Sequence, residues 1–404
     1  MLSASERWDL IDKISKKTIK LGQYRHTLKD AIADITVKPL TGIPVAIAIL
    51  YGFWAFFGAF AGFFTDGFLV KLFDVYWLPW LQEVFPLSKS SWLYYIFVGD
   101  PSARNSFEAF GVLTSGLFVA IGVVLPAIVA FYLILTLLED SGYLPRLAVL
   151  IDTVLHKIGL HGYAIVPSIL SLGCNVPGCT ACRILETKKQ RFMMMTLLAI
   201  FIPCGAQLGI MLKVIPETVG WVMLYLLMGY FILGFILNKI IPGKSPEILL
   251  DIPPYRRPTL GNTGRKLWIK VSSFFASAIP FVLLGVIIVN VLHLIGVMDW
   301  LANSLSPLLS GWFGIPKETV GPLIVAFLRK DLAVAQLSAI EMTRYQMITS
   351  VVLVSIYFPC VATFVMLLRE GGWKGLLGSL VTLVATVFLY GGLLHLIWIL
   401  LGVA

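Results

Sequence analysis

The sequence predicts an all-α polytopic membrane protein, and three observations carry that prediction. The first is composition: of 404 residues 58% are hydrophobic and only 13% charged, with a mean hydropathy of +0.89, whereas about a quarter of an average soluble domain is charged. With 31 basic and 22 acidic residues, the chain cannot clothe a soluble globule of this size, which excludes a soluble enzyme, a secreted domain and a disordered chain. The second is a set of seven uncharged runs of 20 residues or more: Ile43 to Phe64, Ala109 to Leu138, Phe192 to Leu212, Thr218 to Asn238, Val271 to Met298, Tyr345 to Leu368 and Gly375 to Ala404. Each is long enough to cross a bilayer core, which takes about 20 apolar residues in a helix. The third is that bases gather between the runs. The five cysteines are an odd number in or beside apolar stretches, so they form no disulfide framework, and no signal peptide opens the chain.

Taken in order, residues 1–40 form a basic arm. Ser3 and Glu6 have capping-box spacing, and Leu10, Ile11, Ile14, Thr18 and Leu21 fall at helical spacing among Lys13, Lys16, Lys17 and Lys20. This is an amphipathic helix suited to the inner membrane surface, or a simple anchor for anionic headgroups. Residues 41–108 hold the first span and a loop, Thr65 to Glu108, whose excess of acids places it outside. Residues 109–240 and 271–404 are the two main bodies. Between them lies a basic linker, 241–270, with Lys239, Lys244, Arg256, Arg257, Arg265, Lys266 and Lys270 in or beside it; with Arg183, Lys188, Lys189 and Arg191 it reads as cytoplasmic, like the N-terminus.

Two apolar segments are interrupted. Ile158 to Cys182 carries Gly162, Pro167, Gly173, Pro177 and Gly178, and Thr319 to Ile340 is cut by Arg329, Lys330 and Asp331. Helix breakers and charges at membrane depth persist only where protein or a water-filled cavity receives them. The chain therefore reads as about seven full spans plus two broken, re-entrant segments. These occupy the same place in an internal repeat: Pro126 matches Pro280, Gly159-Leu160 matches Gly314-Ile315, Pro167 matches Pro322, and Pro203-Cys204 matches Pro359-Cys360, all at offsets of about 155 residues. Because one copy starts outside and the other inside, an inverted repeat is the preferred reading, with a substrate site near the midplane at the discontinuous helices.

The chemistry at these positions is limited and specific. Cys174 and Asn175 lie between Gly173 and Pro177, where unwound backbone exposes carbonyls beside a thiol. Cys204 and Cys360 each follow a proline, Pro203 and Pro359, inside a span, where the missing N–H frees a carbonyl about one turn earlier. Sulfur, amide oxygen and freed carbonyls suit a borderline-soft divalent metal; the alternative for each thiol is packing as a small hydrophobe. Cys179 and Cys182 form a lone C-x-x-C that suits small-residue packing. Lys330 beside Asp331 is either a static pair locking a re-entrant tip or a place where Asp331 exchanges between Lys330 and a passing cation. Glu139 and Asp140 read as a solvated helix end at the inner mouth.

At this point the residues resemble a known family. Leu138-Glu139-Asp140-Ser141-Gly142-Tyr143, Gly173-Cys174-Asn175-Val176-Pro177, Pro203-Cys204-Gly205-Ala206 and the late Pro359-Cys360 with Arg369-Glu370 are similar to signatures of the membrane region of FeoB ferrous-iron transporters. The two repeats resemble that family's paired Gate domains, from about Glu6 to the end. The chain departs from the pattern at Arg329-Lys330-Asp331, where Ala-Lys-Glu is common, and at Gln207, where an Arg is usual. The resemblance implies a membrane permease for Fe2+ as transported substrate, with no bound cofactor, in the inner (plasma) membrane. From the breaks and their donor chemistry, Cys174, Asn175, Cys204, Cys360 and Asp331 are the candidates along a metal path, and Gly173, Pro177, Pro203, Pro359, Lys330, Glu139 and Asp140 the candidate gate or structural residues.

Family members usually carry a GTPase domain ahead of the membrane region. No G-x-x-x-x-G-K-[ST] loop occurs in this sequence, and Gly261-Asn262-Thr263-Gly264-Arg265-Lys266 lacks its spacing and hydroxyl. The expectation is a non-enzymatic transporter served by a separate FeoB-like GTPase in trans, or a trimmed chain, with a homo-oligomer compatible and no nucleic-acid partner. Two readings of other classes stay open. A Gate-type transporter of a nucleoside-like or other organic solute is disfavoured by the shortage of buried polar side chains beyond Asn175 and Gln207. A membrane enzyme with a cysteine nucleophile is disfavoured because no Cys has a His and an orienting group in a local signature.

Overall fold

The computed structural model describes residues 4–18, 28–85, 91–101, 105–106, 109, 111–243, 255–296, 304, 306–307, 309–328 and 330–402. Its regular structure is helical. The arm forms α1 (Ala4–Thr18) and α2 (Leu28–Val37). Trp8, Leu10, Ile11 and Ile14 of α1 are all exposed, so its apolar stripe is left open. Ser3 of the expected capping box and Leu21 lie outside the described residues.

The first span is longer than the uncharged run that announces it. Helix α3 runs from Pro39 to Val84, 46 residues and about 69 Å, so the first part of the expected external loop, Thr65 to Glu108, is helical. The reason is that Phe68, Leu72, Val75, Tyr76 and Trp80 continue an exposed apolar surface while the acids find partners. Asp66 lies 3.7 Å from Lys213, and Asp74 accepts from the Ser106 N–H at 2.8 Å. Two π-helical stretches, Thr65–Leu69 and Leu72–Trp77, mark this region. After the short α4 (Trp92–Phe97), α5 (Val112–Ser141) ends at Gly142, whose φ of 81° closes the last turn. Helix α6 (Tyr143–His156) follows.

The repeat is visible element by element. Gly159 and Gly314 both adopt positive φ, 77° and 66°, and each is followed by a single 3-10 turn, Gly162–Ala164 and Lys317–Thr319. Next come α7 (Ile165–Gly173) and α8 (Asn175–Ala181) in the first copy, and α13 (Val320–Leu328) and α14 (Lys330–Leu337) in the second. Helices α9 (Lys188–Phe201) and α15 (Arg344–Ile356) then start on equivalent caps. Thr187 accepts from the Gln190 N–H and Thr343 from the Gln346 N–H, satisfying donors that helix starts leave open. Past a break, α10 (Gly205–Val214) leads to α11 (Pro216–Ile240), and α16 (Val361–Leu400), with a kink at Gly372, closes the second copy. A β-carbon on Gly159 would lie 2.2 Å from Asn238 Oδ1, and one on Gly314 2.2 Å from His395 Nε2; Asn238 and His395 are themselves 157 positions apart.

Equivalent helices run antiparallel, so the repeat is inverted. Helix α12 (Leu260–Leu294) meets the C-terminal end of α5 through its own first turns, where Thr263 bonds Asp140 and Lys270 bonds Glu139. It also touches Val112–Gly116 at the far end of α5. Likewise α9 begins at the C-terminal end of α11, where Lys189 Nζ donates to Asn238 O at 3.0 Å, and α15 begins at its N-terminal end, where Arg344 reaches Glu217 O. The centre of the core is the pair α9 and α15, where Met193, Met194, Leu197, Val351, Val352 and Val354 are completely enclosed.

Three further expectations change. Phe192–Leu212 and Tyr345–Leu368 are not unbroken spans, because the chain leaves the helix at 202–204 and 357–360. Pro203 and Pro359 bring no N–H, and a proline disfavours helical backbone in the residue before it; Ile202 is accordingly extended, with φ −97° and ψ 108°. Cys204 and Cys360 thus precede helices and do not sit inside them. The unwinding at 173–177 shrinks to one residue: Cys174 is extended (φ −154°, ψ 134°), whereas Asn175 and Pro177 belong to α8. The linker 241–270 gives its last eleven residues to α12, whose start at Leu260 turns Arg265, Lys266 and Lys270 into helical positions.

Candidate ion pathway at the converging helix breaks

The first broken segment is a hairpin. A β-carbon on Gly178 would lie 1.8 Å from Ser171 Oγ and 3.0 Å from Pro167 O, so α8 folds back along α7, and only a residue without a side chain permits that approach. The tip, Gly173-Cys174-Asn175, meets the 202–204 break. Asn175 Nδ2 donates to Ile202 O at 3.3 Å, and the β-carbon position of Gly205 is 3.2 Å from Gly173 O. Gly173 itself is pressed against Phe131, 2.1 Å from where a β-carbon would stand.

The second copy repeats this arrangement with other side chains. Lys330, the first residue of α14 and 5% exposed, donates through Nζ to Ser355 O at 2.6 Å, just ahead of the 357–360 break. Gln207 of α10 crosses between the copies and donates through Nε2 to Ser355 Oγ at 2.7 Å, while Ser355 Oγ donates to Val351 O. Cys360 Sγ is 3.1 Å from Thr363 Oγ1. Cys204 lies within electrostatic range of Asp331, Cys360 and Lys330, and Cys174 within that range of Cys360 and Cys204. The breaks therefore bring together Cys174, Asn175, Cys204, Lys330, Asp331 and Cys360, with Gly173, Pro203 and Pro359 shaping the backbone around them. Arg329 lies outside the described residues.

Two acceptors stand out. Asn175 Oδ1 and Gln207 Oε1 are buried and accept no hydrogen bond among the described residues. Also among the described residues, no three His, Cys, Asp or Glu side chains stand close enough to hold one metal ion. The thiols thus line a region and do not form a closed cage.

Glu139 and Asp140 are not a merely solvated helix end. Asp140 pairs with Lys266 and accepts from Thr263 Oγ1 at 3.3 Å, and Glu139 pairs with Lys270 at 2.8 Å. They clamp the end of α5 to the start of α12, and the Asp140 hydrogen bond raises the pKa of the Lys266 ammonium above its ordinary value. Sequence reasoning missed three partnerships. Arg183 holds Glu370 with two bonds of 2.6 and 2.7 Å across the copies. Buried Arg146 lies 3.7 Å from the Tyr255 ring and donates to Gly142 O. Ser355 carries no signal in the sequence beyond standing four residues before Pro359.

An all-α bundle of long apolar helices, built from two inverted copies whose discontinuous helices meet in the middle, defines a polytopic membrane protein of the two-Gate class. The family model described as "Nucleoside recognition" matches residues 121–217 and 275–374, and that described as "Ferrous iron transport protein B C terminus" matches 219–270. Among similar proteins, the Fe(2+) transporter FeoB of Methanocaldococcus jannaschii is 25% identical over 91% of this chain and 58% of its own length. That of Staphylococcus aureus is 27% identical over 65% of this chain and 45% of its own. An Fe(2+) transport protein A/Fe(2+) transporter FeoB fusion protein of Porphyromonas gingivalis is 32% identical over 41% of this chain and 21% of its own. No solved structure matches. The chain belongs to the FeoB family and corresponds to its membrane region, spanning roughly half the length of the curated relatives it matches.

Proposed function

We propose that this chain is the membrane permease for ferrous iron, with Fe2+ passing the converging breaks as substrate. The observation that carries the reading is the donor set at that point: thiols of Cys174, Cys204 and Cys360, the Asp331 carboxylate, and the buried acceptor oxygens of Asn175 and Gln207. Sulfur with oxygen suits a borderline divalent ion, and unsatisfied buried acceptors are what a cation replaces its water with. Conduction needs sites favourable enough to enter yet weak enough to leave, which thiols spread along a path supply better than a closed cage. The expected shortage of buried polar side chains does not hold, since Thr136, Ser171, Gln190 and Thr196 are buried as well; an organic solute such as a nucleoside would call for donors at the breaks themselves, where the amide nitrogens of Asn175 and Gln207 are already engaged.

We place the N-terminal arm, the Arg183–Arg191 turn and the 241–270 linker in the cytoplasm of a cell whose plasma membrane holds the bundle, following the distribution of bases. The arm, first span with outer segment, two Gate copies and linker are the working units. Any GTPase would dock on those basic surfaces, and its co-purification should weaken with salt, since exposed charges are screened over about 8 Å at physiological ionic strength. The central test is anaerobic Fe2+ uptake by proteoliposomes. C174S, C204S and C360S keep size but harden the ligand, and each should lower uptake while the protein still melts cooperatively. Normal uptake in all three, and in the triple variant, would return the thiols to packing.

A further inference from the structure

The two Gate copies are not chemically equal at the position that ties each hairpin to its partner break. Asn175 and Lys330 are 155 residues apart, the offset of the repeat; each is the first residue of the second hairpin arm, and each donates to a backbone carbonyl just ahead of a Pro-Cys break. One copy uses a neutral amide. The other uses an ammonium, buried to 5% exposure and within electrostatic range of both Cys204 and Cys360.

We propose that Lys330 is a tethered cation that competes with the divalent ion for the Cys204–Cys360 side of the pathway, so that occupancy by metal requires its withdrawal. This rests on the reading of the breaks as an iron pathway. Three features carry it. In the first copy a neutral donor at the equivalent position ties its hairpin to a carbonyl beside the break, Ile202 O one residue before Pro203 against Ser355 O four residues before Pro359, so a charge is not needed to tie a hairpin to its break. A buried positive charge in a region shielded from water repels a divalent ion strongly until it withdraws, because interactions there are little screened. Its bond to Ser355 O is made at the residue whose hydroxyl also receives Gln207 from the other copy, so moving the ammonium disturbs the one described side-chain bridge between α10 and α15. The asymmetry gives the pathway a more permissive half, at Cys174 and Asn175, and a guarded half, at Cys204, Asp331 and Cys360. The guard keeps the ion from resting deeply on sulfur and thereby speeds release.

The test is equilibrium binding of Fe2+ under anaerobic conditions to the purified full chain, with proteoliposome uptake alongside. K330Q removes the charge but keeps an amide donor, as in the first copy. It should bind Fe2+ at least about tenfold more tightly while maximal uptake falls, and K330R should bind as the parent does. N175K, which installs an ammonium in the other half, should weaken binding and remains informative if K330Q fails to fold. Unchanged or weaker binding by folded K330Q, or unchanged binding by folded N175K, would overturn the proposal. If the parent and C360S alike bind no Fe2+, the iron reading itself falls and this inference with it; parent binding that C360S loses but K330Q leaves unaltered refutes the guard alone.

Discussion

Replacing Gln207 by Leu separates the pathway from the scaffold. The side chain is completely buried, with one end bonded to Ser355 Oγ and the other, Oε1, accepting nothing among the described residues. A typical intramolecular hydrogen bond contributes about 0.5–1.5 kcal/mol, whereas a buried group left unsatisfied costs about 1–3 kcal/mol. Leucine has nearly the volume of glutamine and removes both terms, and Ser355 Oγ keeps its bond to Val351 O. The balance makes Q207L roughly neutral or up to about 2 kcal/mol more stable. Fe2+ transport should nevertheless fall at least about tenfold, because the lost oxygen is one that would take the place of water around the ion, and tenfold corresponds to about 1.4 kcal/mol. Thermal melting in detergent gives the first quantity and anaerobic uptake by proteoliposomes the second. A variant that is clearly destabilised, or one that transports normally, would refute the reasoning, since a structural glutamine loses stability when removed and an idle one loses nothing.

Two further outcomes test other parts of the account. D331N should impair uptake more than E139Q, since Asp331 is buried beside Lys330 within electrostatic range of Cys204 while E139Q leaves the Asp140–Lys266 pair of the α5–α12 clamp in place; equal, mild effects in the uptake assay would return Asp331 to a structural role. G159A and G314A should each lower the melting temperature, because a left-handed backbone costs a side-chain-bearing residue about 1–2 kcal/mol and the new methyl would meet Asn238 or His395. Adding N238A to G159A should recover only the steric part, and full recovery would show that the backbone is not strained.

The membrane class, the repeat and most of the residues that meet at the converging breaks were legible in the sequence, because each depends on local chemistry. Long uncharged runs cannot be anything but buried or lipid-facing, and prolines, glycines and charges within them must break or bend a helix wherever they fall. The offset of about 155 residues marked the same breaks that the fold brings together. Three things required the tertiary structure. Whether a proline kinks a helix or ends it depends on what lies beside the carbonyls left open there, and side chains from the hairpins take one at each break, Asn175 bonding Ile202 O and Lys330 bonding Ser355 O, the carbonyl that Pro359 frees. The partners of Glu370, Glu139 and Asp140 lie 187 and more than 120 positions away along the chain, so their pairing is a property of packing and leaves no pattern in either segment. The hand of the repeat was only a preference from charge distribution until antiparallel α5 and α12, and α9 and α15 entering from opposite ends of α11, made it geometric. Sequence periodicity reports which residues avoid water; the direction in which two such helices meet is decided by the contacts at their ends.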